Sequence, residues 1–181
     1  MARVLVPFAD GLEEMEAVII VDTLRRAGWD VVTASVSGKN VLASRGVRLV
    51  ADALWGDIEL ETFDIIALPG GAGGTDVLAQ HQGVLNAVRS FVGEGKLVGA
   101  ICAGPLVLQA AGVTGQRSLT CHPGARDEMT TGILSNERVV VDEPIVTSQG
   151  PGTSFEFALK LIDLVDGNQA AERVAAGLVL P

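Results

Sequence analysis

Cys102 stands at the end of a short apolar run and is separated by one alanine from a glycine and a proline. Leu97 to Ile101 is continuously apolar, as in a buried strand, and apolar residues recur at helical spacing after Gly104. Pro105 fits the first turn of a helix, because its missing N–H costs nothing there. The pattern therefore predicts a strand, a sharp turn and a helix, with Cys102 at the turn. This is the arrangement of a nucleophile elbow, with sulfur in place of the serine oxygen.

The local sequence leaves two interpretations of Cys102 open. A cysteine at the start of a helix faces unpaired N–H groups and the positive end of the helix dipole, which favour the thiolate over the thiol. Free cysteines are, however, usually buried and behave as small hydrophobic side chains. A reactive thiolate and a packed apolar residue are both compatible with this stretch.

Glu16 and His122 have the side chains that a reactive cysteine needs as partners. Glu16 precedes the apolar residues 17–21 of a predicted helix, where a carboxylate must be exposed, paired or protonated. If it lay about 4 Å from Cys102, two full charges would cost roughly 4 kcal/mol at an effective dielectric near 20, so the groups would share a proton. His122 follows a short predicted strand and is a candidate base or orienting group. The alternatives are a solvated helix face for Glu16 and a locally satisfied imidazole for His122.

Five of the six residues from Pro69 to Gly74 are small and four of them are glycine, which invites comparison with nucleotide-binding loops. The dinucleotide pattern fails because Asp76 stands where its third glycine is needed, and Gly95-Lys96 lacks the upstream glycine of a phosphate loop. We expect the glycines to let backbone N–H groups approach a substrate or the cysteine. A simple tight turn is the alternative.

Neither a metal site nor a disulfide framework is expected. Cys102 and Cys121 are the only cysteines and neither belongs to a CxxC pair. Cys121-His122 has no second pair at zinc-ligand spacing, so Cys121 is interpreted as structural. His81, the other histidine, lies among polar residues at a predicted helix start and is expected at the surface.

Composition excludes several classes of protein. The 181 residues carry a net charge of −9 with 48% hydrophobic residues, which fits one folded domain over residues 1–181. No Lys/Arg cluster supports binding to nucleic acid or an anionic membrane. Residues 97–116 are uncharged, but glycines, Pro105 and two glutamines interrupt them, which favours a buried strand and helix over a membrane span. The N-terminus has no signal-peptide pattern, so a cytoplasmic location is expected.

Buried strands alternate with helices along the chain. Helices are predicted over 13–27, 77–94 (largely), 155–165 and 169–176, besides the one after Cys102, and strands over 3–8, 29–36, 41–42, 47–50, 63–68, 97–101, 118–121, 139–141 and 145–148. Strands that are apolar on both faces predict an α/β fold with a doubly wound, mostly parallel sheet and helices on both faces. Sites in such sheets lie at the carboxyl ends of strands, where Asp10-Gly11, Pro69–Gly74, Cys102 and His122 are expected.

The chain resembles the ThiJ/PfpI superfamily over essentially its whole length, and most closely the branch that contains the Parkinson-disease-associated protein deglycase. The resemblance rests on stretches that rarely occur together: Gly11-Leu-Glu-Glu-Met-Glu16, Leu68-Pro-Gly-Gly71, Ala100-Ile-Cys-Ala-Gly-Pro105, His122-Pro123 and Ser148-Gln-Gly-Pro-Gly-Thr-Ser-Phe-Glu-Phe157. It implies a flavodoxin-like homodimer that uses no metal or organic cofactor. One departure is Gln149, where close relatives often carry arginine.

The resemblance also assigns roles. It implies that Cys102 is the reactive cysteine, Glu16 its protonated carboxylic acid partner and His122 the nearby histidine. Gly71 and Ala103 would supply the backbone that contacts the oxyanion, and Arg45 matches an arginine near the dimer interface. The implied activity is a glutathione-independent glyoxalase or protein deglycase, acting on small reactive aldehydes or on glycated proteins and nucleotides. The alternatives are an oxidative-stress sensor working through Cys102 oxidation and a cysteine hydrolase with a Cys102–His122 dyad.

Overall fold

A seven-stranded sheet forms the centre of the computed structural model, which describes residues 1–180. In chain order its strands are β1 (Arg3–Phe8), β2 (Asp30–Ser35), β5 (Ala53–Leu54), β6 (Ile65–Leu68), β7 (Leu97–Ile101), β10 (Val139–Asp142) and β11 (Ile145–Ser148). Their spatial order is β10-β11-β7-β6-β1-β2-β5, and every pairing is parallel except that of β10 with β11. The inner strands are buried on both faces, which explains their continuous apolar sequence.

Six α-helices cover the two faces of the sheet. They are α1 (Glu14–Arg26), α2 (Ala72–Gln80), α3 (Gln82–Gly93), α4 (Pro105–Ala111), α5 (Ser154–Asp166) and α6 (Asn168–Gly177). Ile20 of α1 and Phe157 of α5 belong to the hydrophobic cluster on one face, which α6 also joins. Phe91 of α3 and Val107 of α4 belong to the cluster on the other face, together with α2. The predicted α/β class, with helices on both faces of a mostly parallel sheet, is confirmed.

Two small sheets lie outside the central one. β3 (Asn40–Leu42) and β4 (Arg48–Val50) form an antiparallel hairpin, and β8 (Ser118–Leu119) pairs in parallel with β9 (Ile133–Leu134). The hairpin encloses Ser44-Arg45-Gly46, as the two short predicted strands suggested. Among residues 1–180, no helix combines the length and apolar character needed to cross a membrane.

His81 divides the helix that was predicted over 77–94. It ends α2 and begins α3, where its Nδ1 accepts a hydrogen bond of 3.2 Å from the backbone N–H of Val84. A side chain that caps the following helix makes a break favourable here, because it satisfies one of the free N–H groups of α3. The segment 77–94 is thus largely helical, as predicted, and His81 lies at a helix start, as expected from the sequence.

The carboxyl ends of three neighbouring strands meet at one edge of the sheet. β1, β6 and β7 lie side by side, and the turns that follow them contain Gly11, Gly70 and Cys102. The backbone N–H of Glu13, just after β1, donates a 2.9 Å hydrogen bond to the carbonyl of Gly70, which joins two of these turns directly. The parallel topology therefore assembles the candidate site.

Candidate active site

Cys102 adopts a left-handed backbone conformation, with φ of +63°. Its N–H donates to the carbonyl of Ser148 at 3.0 Å, and its own carbonyl accepts from the N–H of His122 at 2.9 Å. These bonds to neighbouring segments hold a conformation that L residues rarely adopt. α4 begins three residues later, with Pro105 in its first turn. The strand, sharp turn and helix predicted from the sequence are all present, and the Cys102 side chain is half-buried.

The glycines after β6 are required by close packing against this turn. A Cβ at Gly70 would lie 2.5 Å from the Cβ of Cys102. Gly71 has φ of +89°, and a Cβ there would lie 2.4 Å from the backbone nitrogen of Glu13. No side chain fits at these distances. The glycines thus bring backbone N–H groups up to the cysteine, which was one of the two interpretations of this run.

Glu16 lies beneath Cys102 and has no solvent exposure. Its Oε2 accepts a 2.7 Å hydrogen bond from the backbone N–H of Gly70. Its Oε1 is also buried and has no partner of hydrogen-bonding geometry within residues 1–180. Burial raises the pKa of Glu16 to about 7, although the bond from Gly70 acts in the opposite direction. The solvated helix face considered for Glu16 does not apply.

Glu16 and Cys102 influence each other's ionisation. Burial, followed by the charge of the Glu16 carboxylate, raises the pKa of Cys102 to about 12. The backbone N–H groups of Gly71 and Ala103 face the sulfur and act to lower it. Because this effect of Glu16 requires an ionised carboxylate, it disappears when Glu16 holds a proton. The pair therefore loses its first proton far more readily than its second, and at neutral pH at most one of the two groups is charged.

His122 lies at the rim of the site. It caps the 3₁₀ turn Pro123–Glu128, and its Nδ1 accepts a 3.0 Å hydrogen bond from the backbone N–H of Gly124. In the neutral imidazole the proton then resides on Nε2. Within residues 1–180 no hydrogen bond joins the imidazole to Cys102. This geometry gives no support to a Cys102–His122 dyad.

A cleft of about 620 Å³ opens above Cys102. The structure brings five of the residues expected from the sequence to its wall: Arg45, Gly71, Cys102, Ala103 and His122. Glu16 has no solvent exposure and does not itself line the cleft, but it lies next to Cys102, which does. The arrangement brings a thiol, a buried carboxyl and free backbone N–H groups close together at the cleft. These are the groups that covalent addition to a carbonyl group requires.

Glu13 and Glu14 do more than the helix-dipole role that their position suggests. One Oε of Glu13 accepts from the N–H of Met15 at 3.1 Å, and the other accepts from Ser44 Oγ at 3.0 Å. The single O–H of Ser44 is shared between the two carboxylates: the Glu14 carboxylate lies 2.9 Å from Ser44 Oγ, and it also accepts from the N–H of Arg45 at 2.9 and 3.1 Å. Desolvation acts to raise the pKa of Glu14, but these bonds leave it lowered. The two carboxylates thus fix the loop that carries Arg45 to the cleft. No sequence signal marks this contact.

Three other residues singled out in the sequence lie away from the reacting groups. Cys121 is buried in the apolar cluster beside α4. His81 is the helix cap already described. Gln149 donates from Nε2 to the carbonyl of Asn136 at 2.9 Å and does not line the cleft. Within residues 1–180 no three His, Cys, Asp or Glu side chains are grouped so that they could hold a metal ion.

Comparison with known proteins identifies the family. The model of the DJ-1/PfpI family matches residues 2–164, and the chain belongs to this family. It is 42% identical over 183 residues to the Parkinson disease protein 7 homolog of Danio rerio, covering 98% of this chain and 97% of the relative. It is 39% identical over 181 residues to the glutathione-independent glyoxalase DJR-1.2 of Caenorhabditis elegans, covering 99% and 96%.

Some relatives are much longer than this chain. The fold of the chain also agrees closely with those of solved structures. The chain is 41% identical over 169 residues to Protein DJ-1 homolog B of Arabidopsis thaliana, covering 92% of this chain and only 39% of that protein. The structure of oxidized DJ-1 from Toxoplasma gondii matches with a TM-score of 0.95 at 41% identity, covering 99% of both chains. The resemblance drawn from the sequence motifs is confirmed.

Proposed function

We propose that this protein is a cofactor-independent, cysteine-dependent glyoxalase or deglycase that converts methylglyoxal, glyoxal or early glycation adducts to hydroxy acids. The observation that carries the proposal is the pairing of a fully buried Glu16 carboxyl with Cys102 at a strained turn. Two groups that share one proton supply a nucleophile and an acid together. The name of the Caenorhabditis elegans relative, a glutathione-independent glyoxalase, supports the same chemistry.

The first step is addition of the thiolate to the aldehyde. The sulfur of Cys102 forms a bond to the aldehyde carbon, and the carbonyl electron pair moves to oxygen. The N–H groups of Gly71 and Ala103, which face the sulfur, stabilise the developing oxyanion. Glu16 then delivers its proton to that oxygen, and the product is a hemithioacetal. This step requires the state in which the pair holds one proton.

Proton transfer completes the conversion. The Glu16 carboxylate removes the proton from the hemithioacetal carbon, giving an enediolate, and returns it to the neighbouring carbon, while the hydroxyl proton passes from the first oxygen to the second. The thioester that results is hydrolysed by water, which releases the hydroxy acid and regenerates the thiol. Methylglyoxal and one water thus give lactate with no change in overall oxidation state. His122, at the rim, orients the substrate. An early glycation adduct reaches the same hemithioacetal by displacement: the Cys102 thiolate bonds to the carbinol carbon, the bond from that carbon to the amine or thiol breaks, and Glu16 protonates the leaving group.

A homodimer belongs to the proposal. Met15, Val18 and Val50 are 55%, 50% and 69% exposed and lie on α1 and β4, where they form an apolar face. An adjacent groove runs between these elements and includes Val21 and Leu49. A second copy of the chain would cover this face and bury these exposed apolar side chains. A reduced thiol at the site fits a cytoplasmic location.

D-lactate production from methylglyoxal tests the proposed reaction. Cys102→Ala is expected to lower turnover by at least about 100-fold, since the covalent step is lost. Cys121→Ala is the matched control, because Cys121 is 1% exposed and lies outside the cleft. Mass spectrometry of the intact protein should detect the hemithioacetal in wild type and in the control. Full turnover in Cys102→Ala would rule out the mechanism.

A redox role for Cys102 is the second candidate. The Toxoplasma gondii structure with the same fold is described as oxidized, and a protonated Glu16 can donate a hydrogen bond to a sulfinate at the neighbouring sulfur. Peptide mapping after mild peroxide treatment should find sulfinic acid at Cys102 and unmodified Cys121. Modification of Cys121 ahead of Cys102 would exclude a sensor at this site.

A further inference from the structure

The cleft above Cys102 is lined by more negative than positive side chains. Its wall includes the carboxylates of Glu13, Asp76 and Glu128, but only one guanidinium, that of Arg45. Asp76 and Glu128 are exposed, and neither forms an ion pair within residues 1–180. They have the freedom to interact with a ligand.

The neighbouring charged groups do not neutralise these two carboxylates. Glu13 already accepts hydrogen bonds from Met15 and Ser44. Arg126, on the same 3₁₀ turn as Glu128, donates from its guanidinium to the carbonyl of Ser135 at 2.9 Å and does not line the cleft. A concave surface with an excess of one charge concentrates ligands of the opposite charge.

The cleft is also far larger than a three-carbon aldehyde requires. Its volume of about 620 Å³ lies in the range of pockets that enclose drug-sized ligands. Asp76 projects from α2 and Glu128 ends the 3₁₀ turn Pro123–Glu128, so the two carboxylates border the cleft from different segments. A carbonyl compound bonded to Cys102 would extend its substituent into the space that they border.

We infer that Asp76 and Glu128 are specificity-determining residues and that the site prefers carbonyl compounds with a cationic substituent, an ammonium or a guanidinium group. Carbonyl compounds with a phosphate or carboxylate substituent are disfavoured at the same position. The inference rests on the proposed function in one respect, the use of Cys102 as the nucleophile. It adds a preference for the charge of the substrate's substituent. This preference is set by Asp76 and Glu128, which take no part in proton transfer.

Charged thiol reagents test the inference without relying on turnover. The probes are three methanethiosulfonates: a trimethylammonioethyl (cationic), a sulfonatoethyl (anionic) and a methyl (neutral) reagent. In each case the Cys102 thiolate forms a disulfide with the reagent's alkylthio sulfur, and methanesulfinate leaves. Rates at Cys102 are followed by mass spectrometry of peptides and divided by the rates of the same reagents with a small free thiol. Cys121, at 1% exposure, is distinguished by its peptide.

The wild-type protein should react faster with the cationic reagent than with the anionic one. In Asp76→Asn/Glu128→Gln the ratio of these rates should fall by about tenfold at low salt, the size expected for two exposed charges near the reagent. Asp127→Asn is the matched control, because Asp127 is exposed on the same turn but does not line the cleft. Its ratio should equal that of wild type.

Each outcome distinguishes the two proposals. A cationic-to-anionic ratio that the double variant leaves unchanged would overturn the charge preference, and so would an equal fall in Asp127→Asn; both leave the proposed reaction standing. If the neutral reagent fails to label Cys102, both proposals are overturned, because both require a thiol that small ligands can reach.

Discussion

The backbone N–H of Gly70 donates a 2.7 Å hydrogen bond to Oε2 of Glu16, a carboxyl group with no solvent exposure. This bond supports one carboxyl oxygen, and within residues 1–180 the other has no partner of hydrogen-bonding geometry. A carboxylate with so little solvation is unstable beside a second negative charge, so the neutral acid is favoured whenever Cys102 is a thiolate. The same glycine permits the close approach of Cys102 above it.

Glu16 should reduce stability as the pH rises. Its pKa is raised in the fold from 4.5 to about 7, so its favourable contribution is complete below pH 4.5 and is lost as the pH rises through 7. Glu16→Gln should therefore gain up to about 3 kcal/mol over wild type between pH 5 and 8, while turnover falls about 100-fold. Urea unfolding at several pH values measures the first effect. Glu137→Gln, at an exposed carboxylate, should change neither the free energy of unfolding nor the turnover.

Gly71→Ala should combine backbone strain with a steric clash. A positive φ costs about 1–2 kcal/mol for alanine, and the contact with Glu13 adds about 1–3 kcal/mol and displaces the N–H groups at the sulfur. Gly28→Ala is the control, since Gly28 has φ of +84° and nothing within 4 Å of a Cβ. Thermal unfolding and lactate production should separate the two variants. Equal losses in both would mean that crowding at Gly71 is unimportant.

Glu14→Ala should loosen the loop that carries Arg45. The variant loses charge-assisted hydrogen bonds to Ser44 and Arg45, and we expect a loss of about 1–3 kcal/mol in the free energy of unfolding. Hydrogen exchange of residues 44–47 should accelerate, and KM should rise more than kcat falls because Arg45 lines the cleft. Glu61→Ala, at an exposed acidic residue, is the comparison. Unchanged exchange in residues 44–47 would contradict this role of Glu14.

Val50→Asp should prevent the proposed homodimer. Val50 is 69% exposed on the apolar face, and a carboxylate buried there between two copies would be unpaired. Sedimentation velocity should give a dimer for wild type and a monomer for the variant. Ile133→Asp, at a residue that is 55% exposed on β9, should remain dimeric. A monomeric wild-type protein would disprove the assembly itself.

The sheet was predictable because its strands are buried on both faces. β1 and β7 are continuous apolar runs, and the residues that follow them must meet at one edge whatever the details of the helices. Cys102 could be placed at a turn for the same reason. The helix start at His81 was expected from its polar neighbours, but the hydrogen bond from the backbone N–H of Val84 to the ring nitrogen of His81 was not, because it depends on the orientation of one side chain.

The surroundings of the site were harder to predict than its centre. Glu13 and Glu14 occupy a helix start, where acidic residues are common, and nothing local shows that they bind a loop about thirty residues further along the chain. The depth at which Glu16 is buried also depends on long-range packing of α1 against the sheet and α5. Contacts of this kind join residues that are far apart in the chain. The hydrophobic periodicity of the sequence does not predict them.

The start of α1, residues 13–16, binds two separate segments of the site. Within four residues it holds the hairpin loop through Glu13 and Glu14 and the Gly70 turn through Glu16. A rotation of this helix by a few degrees would move the cleft wall and the shared proton in the same motion. Because Val18 of the same helix lies on the apolar outer face, a partner that covers this face would contact the same helix that holds the Arg45 loop and Glu16.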